Sequence, residues 1–420
     1  MAVVSSLLII SSFLTASAIG ASADAVRRPP PPGTTTPPSV TTPPPESYTP
    51  PPHRDYASYG DTAAGEAIGA KLSTLAGGAE GSSAEWAPIF KALDTIPGNE
   101  VGGTLDRLGP GESDSFTDAG LIAGRGQLGE TESHLDEITG DGASPQTGKW
   151  LGWVEGSDGH FHIPDGPCKF DVEGFSCGVE RDIGDSVLIG VTAGTSHTRL
   201  SWDDSGSEGV ADANYVGSYG MWRLGRIRLA AGADYGNSRS DAERHIQIGD
   251  LAHIADSGFD GHPYAAFVGG SYDWRGESWQ ISPMLTMSYV GLQEDGYTES
   301  GAGPLDLAVD GRRNTSAQAG GGLRISREIH TGWLKLVPAV KAQWGRELKT
   351  GGHDTNASLA DSSASTFPVN GPESPADDTE IGASLDAKFL GITAYVRYDH
   401  MFGNWNSYGY TTSAGVRSAF

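Results

Sequence analysis

The chain is short of cysteine, of positive charge and of long apolar runs. Two cysteines in 420 residues exclude a disulfide-stapled scaffold and any cysteine-rich metal site. Lysine and arginine number 28 against 53 aspartates and glutamates, a formal net charge of −25. That balance excludes a nucleic-acid partner, because neutralising phosphates needs a basic surface. Beyond the N-terminal two dozen residues, no apolar run has the length of a membrane helix. If such a chain spans a membrane, it does so with strands closed into a barrel.

What is present begins with a leader. Val3 to Leu14 is an apolar or small-residue run, and Ala21-Ser22-Ala23 forms an A-x-A cleavage site before Asp24. Residues 1–23 therefore read as a secretory signal with Ala21 and Ala23 as its cleavage residues, although no lysine or arginine precedes Arg27. Residues 24–57 hold 12 of the chain's 25 prolines, mixed with Thr and Ser. Such a tract lacks the backbone donors for helix or sheet, so it is expected to be a disordered, extended polyproline linker. Residues 58–143 change to a helix-compatible pattern, with Leu121, Leu128 and Leu135 at helical spacing. Pro88, Pro97 and Pro110 are expected to divide the region into short helices, and Gly102, Gly103, Gly124 and Gly126 to weaken them. Helices so marked are expected to lean on another part of the chain.

From residue 144 onwards the pattern is one of strands. Trp279, Ile281, Pro283, Leu285, Met287 and Tyr289 alternate with Gln280, Ser282, Met284, Thr286 and Ser288. Ile227, Leu229, Ala231, Ala233 and Tyr235 oppose Arg228, Gly232 and Asp234; Ile392, Ala394, Val396 and Tyr398 oppose Thr393, Arg397 and Asp399. Between Leu334 and Trp344 the even positions are apolar, and the odd ones include Lys335, Lys341 and Gln343. Charges that keep to one side predict one lipid-facing and one lumen-facing surface. Strands fall near 149–157, 169–181, 186–202, 213–222, 226–237, 255–274, 278–292, 314–327, 332–347, 379–388, 390–401 and 406–420. Their connections alternate long (158–168, 203–212, 238–254, 293–313, 348–378) and short (182–185, 223–225, 275–277, 328–332, 389). Phe402–Trp405 alone breaks that rhythm. Short turns at one end and long loops at the other are the asymmetry of outer-membrane barrels. Trp202, Trp222, Trp274, Trp279 and Trp344 near strand ends are expected as interface anchors.

Other constellations point to chemistry only weakly. Gly184-Asp185-Ser186-Val187 has the form of an esterase nucleophile block, but it sits where a tight turn is predicted, and Gly and Asp are ordinary turn residues. Asp203, Asp204, Glu208 and Asp212 lack the spacing of a calcium loop, and His160 with His162 lacks a third metal ligand. No catalytic residue, metal or cofactor is expected. Cys168 and Cys177, if on one strand, lie too far apart for a disulfide and are expected as free thiols.

The C-terminal strand, Trp405 to Phe420, resembles the assembly signal of bacterial outer-membrane proteins through Ser413, Gly415 and Phe420; Ser418 departs from it. Asp295-Gly296-Tyr297-Thr298-Glu299-Ser300-Gly301-Ala302 resembles the D-G-F-x-E-x-G-A run of the autotransporter β-domain of type V secretion, and residues 62–139 resemble the helical region before such barrels. The resemblance implies an all-β transmembrane fold: an antiparallel twelve-stranded β-barrel over 144–420, with a helix from 58–143 passing through its pore. Residues 113–139 are the candidate for that helix. It further implies a Gram-negative outer-membrane location and partners in outer-membrane lipid, the barrel-assembly machinery and periplasmic chaperones. Export of an N-terminal passenger is the implied activity, and here that passenger is vestigial, little more than the Pro/Thr tract. The alternative is a structural or adhesive surface barrel whose acidic loops meet a host or cell-surface ligand.

Overall fold

The computed structural model describes residues 53–78, 80–139, 149–162, 168–349, 354–360, 367–370, 377–403 and 408–420. The segment expected as a leader, with Ala21 and Ala23, most of the Pro/Thr tract and residues 404–407 lie outside the described residues.

Twelve long strands form the barrel: β1 (Trp150–His162), β2 (Cys168–Ile183), β3 (Val187–Trp202), β4 (Glu208–Leu224), β5 (Ile227–Ile248) and β6 (Leu251–Tyr272). They continue as β7 (Trp279–Glu294), β8 (Arg312–Arg327), β9 (Leu334–Glu347), β10 (Asp377–Phe389), β11 (Ile392–Gly403) and β12 (Tyr408–Ala419). Each pairs antiparallel with the next in sequence. β12 then pairs with β1, from Leu151 opposite Ala419 to His162 opposite Tyr408. The Phe420 amide donates to the Trp150 carbonyl at 2.8 Å, and the Trp150 amide to the Phe420 carbonyl at 3.2 Å. The sheet closes on itself and leaves no edge strand.

The alternation read from the sequence sets the two faces. On β12 Tyr408 and Val416 are exposed to the outside, whereas Ser413 and Arg417 are buried in the lumen. Leu229, Tyr235, Leu285, Met287, Val340 and Val396 likewise point outward. A soluble protein would not leave so many large apolar side chains bare around its whole circumference; lipid covers them here. Short turns at one end, including the glycines Gly184, Gly225 and Gly332 at positive φ, mark the periplasmic side.

The long-loop end departs from the expectation of irregular loops. β5 and β6 continue as one hairpin to a two-residue turn at Gly249-Asp250, across the stretch 238–254 expected to be loop. The outward residues there, Arg239, Asp241 and Glu243, are charged, so the apolar stripe that marks a lipid-facing strand ends while the strand goes on. The segments 293–313 and 348–378 contribute a second, four-stranded antiparallel sheet in the order 367–370, 354–359, 307–309, 297–298.

Three short helices pack on this outer structure: α1 (Ala63–Ala76), α2 (Trp86–Thr95) and α3 (Gly98–Arg107). Thr62 caps α1, its hydroxyl accepting from the Gly65 amide at 3.1 Å. Pro88 falls in the first turn of α2 rather than ending a helix, because the missing amide there has no helical partner to lose. Gly102 is a close approach: a Cβ would press on the Tyr59 carbonyl. Ile68, Leu72, Phe90, Leu93, Val101 and Leu105 share one buried core with Ile246 and Ile248 of β5, with Leu307, Ala357 and Leu359 of the second sheet, and with Leu305 just before it. The helices lean, as expected, on another part of the chain. They form a cap on the extracellular end.

A fourth helix, α4 (Gly111–Thr139), descends from the cap through the barrel. Its 29 residues span about 43 Å at 1.5 Å per residue, enough to cross the hydrocarbon layer.

Candidate functional site: the helix in the pore

The pore site is built from α4 and the inward positions of the barrel. Leu121, Leu128 and Leu135, spaced by seven, face one half of the wall and share a core with Trp153, Leu188, Tyr219, Met221, Phe267, Val290 and Leu292. Phe116 and Ala119 pack in a second core with Phe170, Leu200, Trp202 and Phe259, and most of the remaining positions of the helix are polar and meet polar wall.

At the outer mouth, Phe116 of α4 lies 5.8 Å from the Trp202 ring and edge-on to Phe259 at 5.5 Å, with Tyr297 stacked on Phe259 at 4.8 Å. Trp202 is therefore not an interface anchor: even positions of β3 point inward, and its ring is buried against the helix. Trp222, Trp274, Trp279 and Trp344 do face outward and are exposed. Around the rings lies a collar of charge. Arg312 donates to Asp114 (2.8 Å), Ser113 Oγ (3.2 Å) and Glu294 (2.7 Å). Glu294 also accepts from Thr117 at 2.5 Å. Arg244 donates to both oxygens of Glu299 at 2.9 and 2.5 Å, and to the Leu305 carbonyl at 3.0 Å. Glu112 accepts from Ser205 and Ser207 at 3.0 and 2.8 Å. The Asp295–Ala302 run thus supplies Tyr297 and Glu299 to the mouth.

Midway down, Glu130 accepts from Ser157 at 2.6 Å and from Ser176. His134 stacks on Trp153 at 4.7 Å and meets Glu180 at 3.0 Å, and Glu180 also accepts from Tyr219 at 2.9 Å. At the periplasmic end Glu137 joins Arg397 and Arg417, each at 3.0 Å, and Arg397 also meets Glu155 at 3.0 Å. Asp136 and Asp273 flank Arg228 at 3.3 and 3.0 Å. The lumen charges of Arg228, Arg397 and Lys341 were visible as one-sided charge in the strand pattern. Glu137, Arg244 and Arg312 were not, because nothing in local sequence says which helix turn meets which strand.

Of the residues singled out for an assembly signal, Ser413 and Gly415 lie within β12 opposite Arg397 and Tyr395 of β11, and Phe420 follows its end beside Trp150 of β1. Ser413 accepts from Arg397 at 3.4 Å, and the Tyr395 ring occupies the space a Cβ on Gly415 would need. The Phe420 side chain is exposed. Ser186 lies just before β3, in the turn after Gly184 at φ 65°. Asp203 pairs with Lys169, Asp212 with His197 at 2.6 Å, and His160 with Asp171 and Asp158 at 2.5 and 2.9 Å. Among the described residues no cluster of three or more His, Cys, Asp or Glu is arranged to hold a metal ion. Cys168 faces inward and Cys177 outward on β2, and both are free.

A closed twelve-stranded barrel, apolar outside, with a charged lumen and a helix through it, defines an outer-membrane translocator domain. The chain belongs to the autotransporter β-domain family, whose profile matches residues 152–399. It is 24% identical over 173 residues to an extracellular serine protease of Serratia marcescens, covering 41% of this chain and 16% of that protein. It is 25% identical over 195 residues to esterase EstA of Pseudomonas aeruginosa, covering 42% of this chain and 29% of that protein. The chain spans less than a third of the length of either relative. Among solved structures, the translocator domain of NalP from Neisseria meningitidis aligns with a TM-score of 0.56 at 15% identity, over 72% of this chain and 98% of that one. The β-domain of Bordetella BrkA aligns with a TM-score of 0.50 at 20% identity, over 65% of this chain and all of that one. The protein is an outer-membrane protein of a Gram-negative bacterium.

Proposed function

We propose that this barrel exports a short N-terminal passenger, the Pro/Thr-rich segment 24–57, to the cell surface and keeps it anchored there. Residues 1–23 serve as the leader, cut after Ala23. The barrel acts as conduit and anchor and catalyses no reaction of its own. The observation that carries this reading is the course of the chain. α1 to α3 pack on the long-loop end, and α4 runs inward so that Glu137 meets Arg417 near the short-turn end. A chain that threaded outward through the lumen ends in this arrangement. Assembly would engage the barrel-insertion machinery and periplasmic chaperones through Ser413, Gly415 and Phe420.

Protease shaving of intact cells carrying an epitope tag just after Asp24 tests the export. Loss of the tag with survival of the barrel is the expected result. A tag protected until the outer membrane is opened would refute it. The second reading, an adhesive surface barrel, is favoured by the size of the outer structure, where two long loops, a hairpin and three helices share one core. Deleting 354–370 would then abolish adhesion while leaving the tag exposed.

A further inference from the structure

Glycines inside the helices of this chain are of two kinds. In the cap, Gly65, Gly69 and Gly102 are places of close approach. A Cβ would strike the Asp106 carboxylate at Gly65, and the carbonyls of Tyr56 and Tyr59 at Gly69 and Gly102. In the upper half of α4, a Cβ at Gly120 would come to 2.6 Å from Leu292 of β7, and one at Gly124 to 3.2 Å from Val290. Packing accounts for these five. Gly126 and Gly129 are different. Among the described residues nothing lies within 4 Å of a Cβ at either position. Both line a lumen cavity of about 200 Å³, beside Arg125, Glu132 and Ser133 of the same helix. A methyl group at either would enter open space.

These two glycines nevertheless weigh on the helix. Each shifts the helix–coil balance towards coil about fivefold relative to alanine. They stand three residues apart near the middle of a 29-residue helix. Thr131 and Ser133 follow, and such hydroxyls compete for the backbone in non-helical conformations. What holds α4 in helical form comes from the wall. Leu121, Leu128 and Leu135 pack on barrel side chains. Arg125 donates to Ser316 and meets Glu347 at 3.5 Å, Glu130 accepts from Ser157 at 2.6 Å, and Glu137 joins Arg397 and Arg417. A segment of low propensity coils when tertiary contacts compensate for it, and not before.

We propose that α4 is a conditional helix: Gly126 and Gly129 keep residues 111–139 from coiling until the barrel wall encloses them. The segment then runs through the lumen as a pliant chain while the N-terminus is exported, and becomes a helix only as that passage ends. This deepens the export reading above and rests on it. The glycines serve the path of the chain, not its final packing.

Rates of export test it in the full-length protein carrying the tag after Asp24. Gly126→Ala with Gly129→Ala should give a folded barrel at least as resistant to heat as the unaltered one, because both methyls meet open space. In pulse-labelled cells shaved at intervals, its tag should reach the surface several-fold more slowly. Gly126→Asn with Gly129→Asn adds larger side chains but keeps helix propensity poor, and should export at close to the unaltered rate. Gly129→Ala alone carries the test if the double variant assembles poorly. An alanine variant that exports as fast as the unaltered protein would overturn the proposal. So would an asparagine variant as slow as the alanine one, which would assign the delay to bulk. A folded alanine variant that melts earlier would return the glycines to packing and overturn it too. An unaltered protein that never exposes its tag would refute export itself, and the conditional helix with it.

Discussion

At the scale of single residues, the barrel is decided by where rings lie over glycines. Tyr219 on β4 covers Gly190 on β3 and cannot swing aside. Its hydroxyl accepts from Trp153 Nε1 at 2.8 Å and donates to Glu180 at 2.9 Å. Gly190→Ala forces a Cβ into that ring, and overpacking of this kind costs about 1–3 kcal/mol. The expected outcome is a lower temperature for loss of the folded, fast-migrating band on semi-native gels. The same scale marks a limit of sequence reading. Trp222 and Trp202 both stand near strand ends, and only the parity of their strands sends one to lipid and the other to α4. Parity needs the register, and a single tryptophan does not carry it.

Among the elements, α4 and the cap respond to different perturbations. Glu137 holds two buried guanidiniums at the foot of α4. Removing one partner from such a buried cluster costs about 3–5 kcal/mol, because the remaining charges are left unpaired. Glu137→Gln should therefore loosen the lower half of the helix, read as earlier thermal unfolding of the barrel and faster proteolysis near residue 140. The cap is sensitive to alkali instead. Burial first, then the hydrogen bond to Asp94 at 2.9 Å, hold the Tyr56 phenol well above its ordinary value. A raised folded value gives stability that is complete below the unfolded phenol's value, about pH 10, and is lost as pH rises towards the folded one. Protease sensitivity of residues 53–108 should climb above about pH 10. Tyr56→Phe should flatten that profile, at a loss of about 1 kcal/mol for the missing bond.

The strands of the barrel were legible because lipid on one side and a charged lumen on the other impose strict alternation, as in β7 and β11. The existence of helix before the barrel was legible from the leucine spacing of α4. The cap was not. Its core joins Phe90 and Leu105 to Leu307 and Leu359, residues of segments with no period of their own, two of them in strands only three and six residues long.

For the molecule as a whole, closure is the decisive event. β12 completes the ring through twelve register pairs with β1, and Phe420 exchanges backbone hydrogen bonds with Trp150. Deleting Phe420 removes the last pair of these bonds and the exposed ring beyond it. The expected outcome is reduced protein in the outer membrane at equal synthesis, measured by fractionation and heat-modifiability. Normal levels would count against the assembly-signal reading.

The shared core of cap and loops has one more implication, for anyone who would use this barrel to display foreign sequence. A foreign sequence can take the place of the Pro/Thr tract behind the proposed leader, but one that also replaces Tyr56 to Leu108 strips the outer structure of half its interior. The hairpin tip and the second sheet would then be left with bare leucines and isoleucines facing water, a sticky surface rather than a neutral pedestal. The natural junction for a fusion lies before His53.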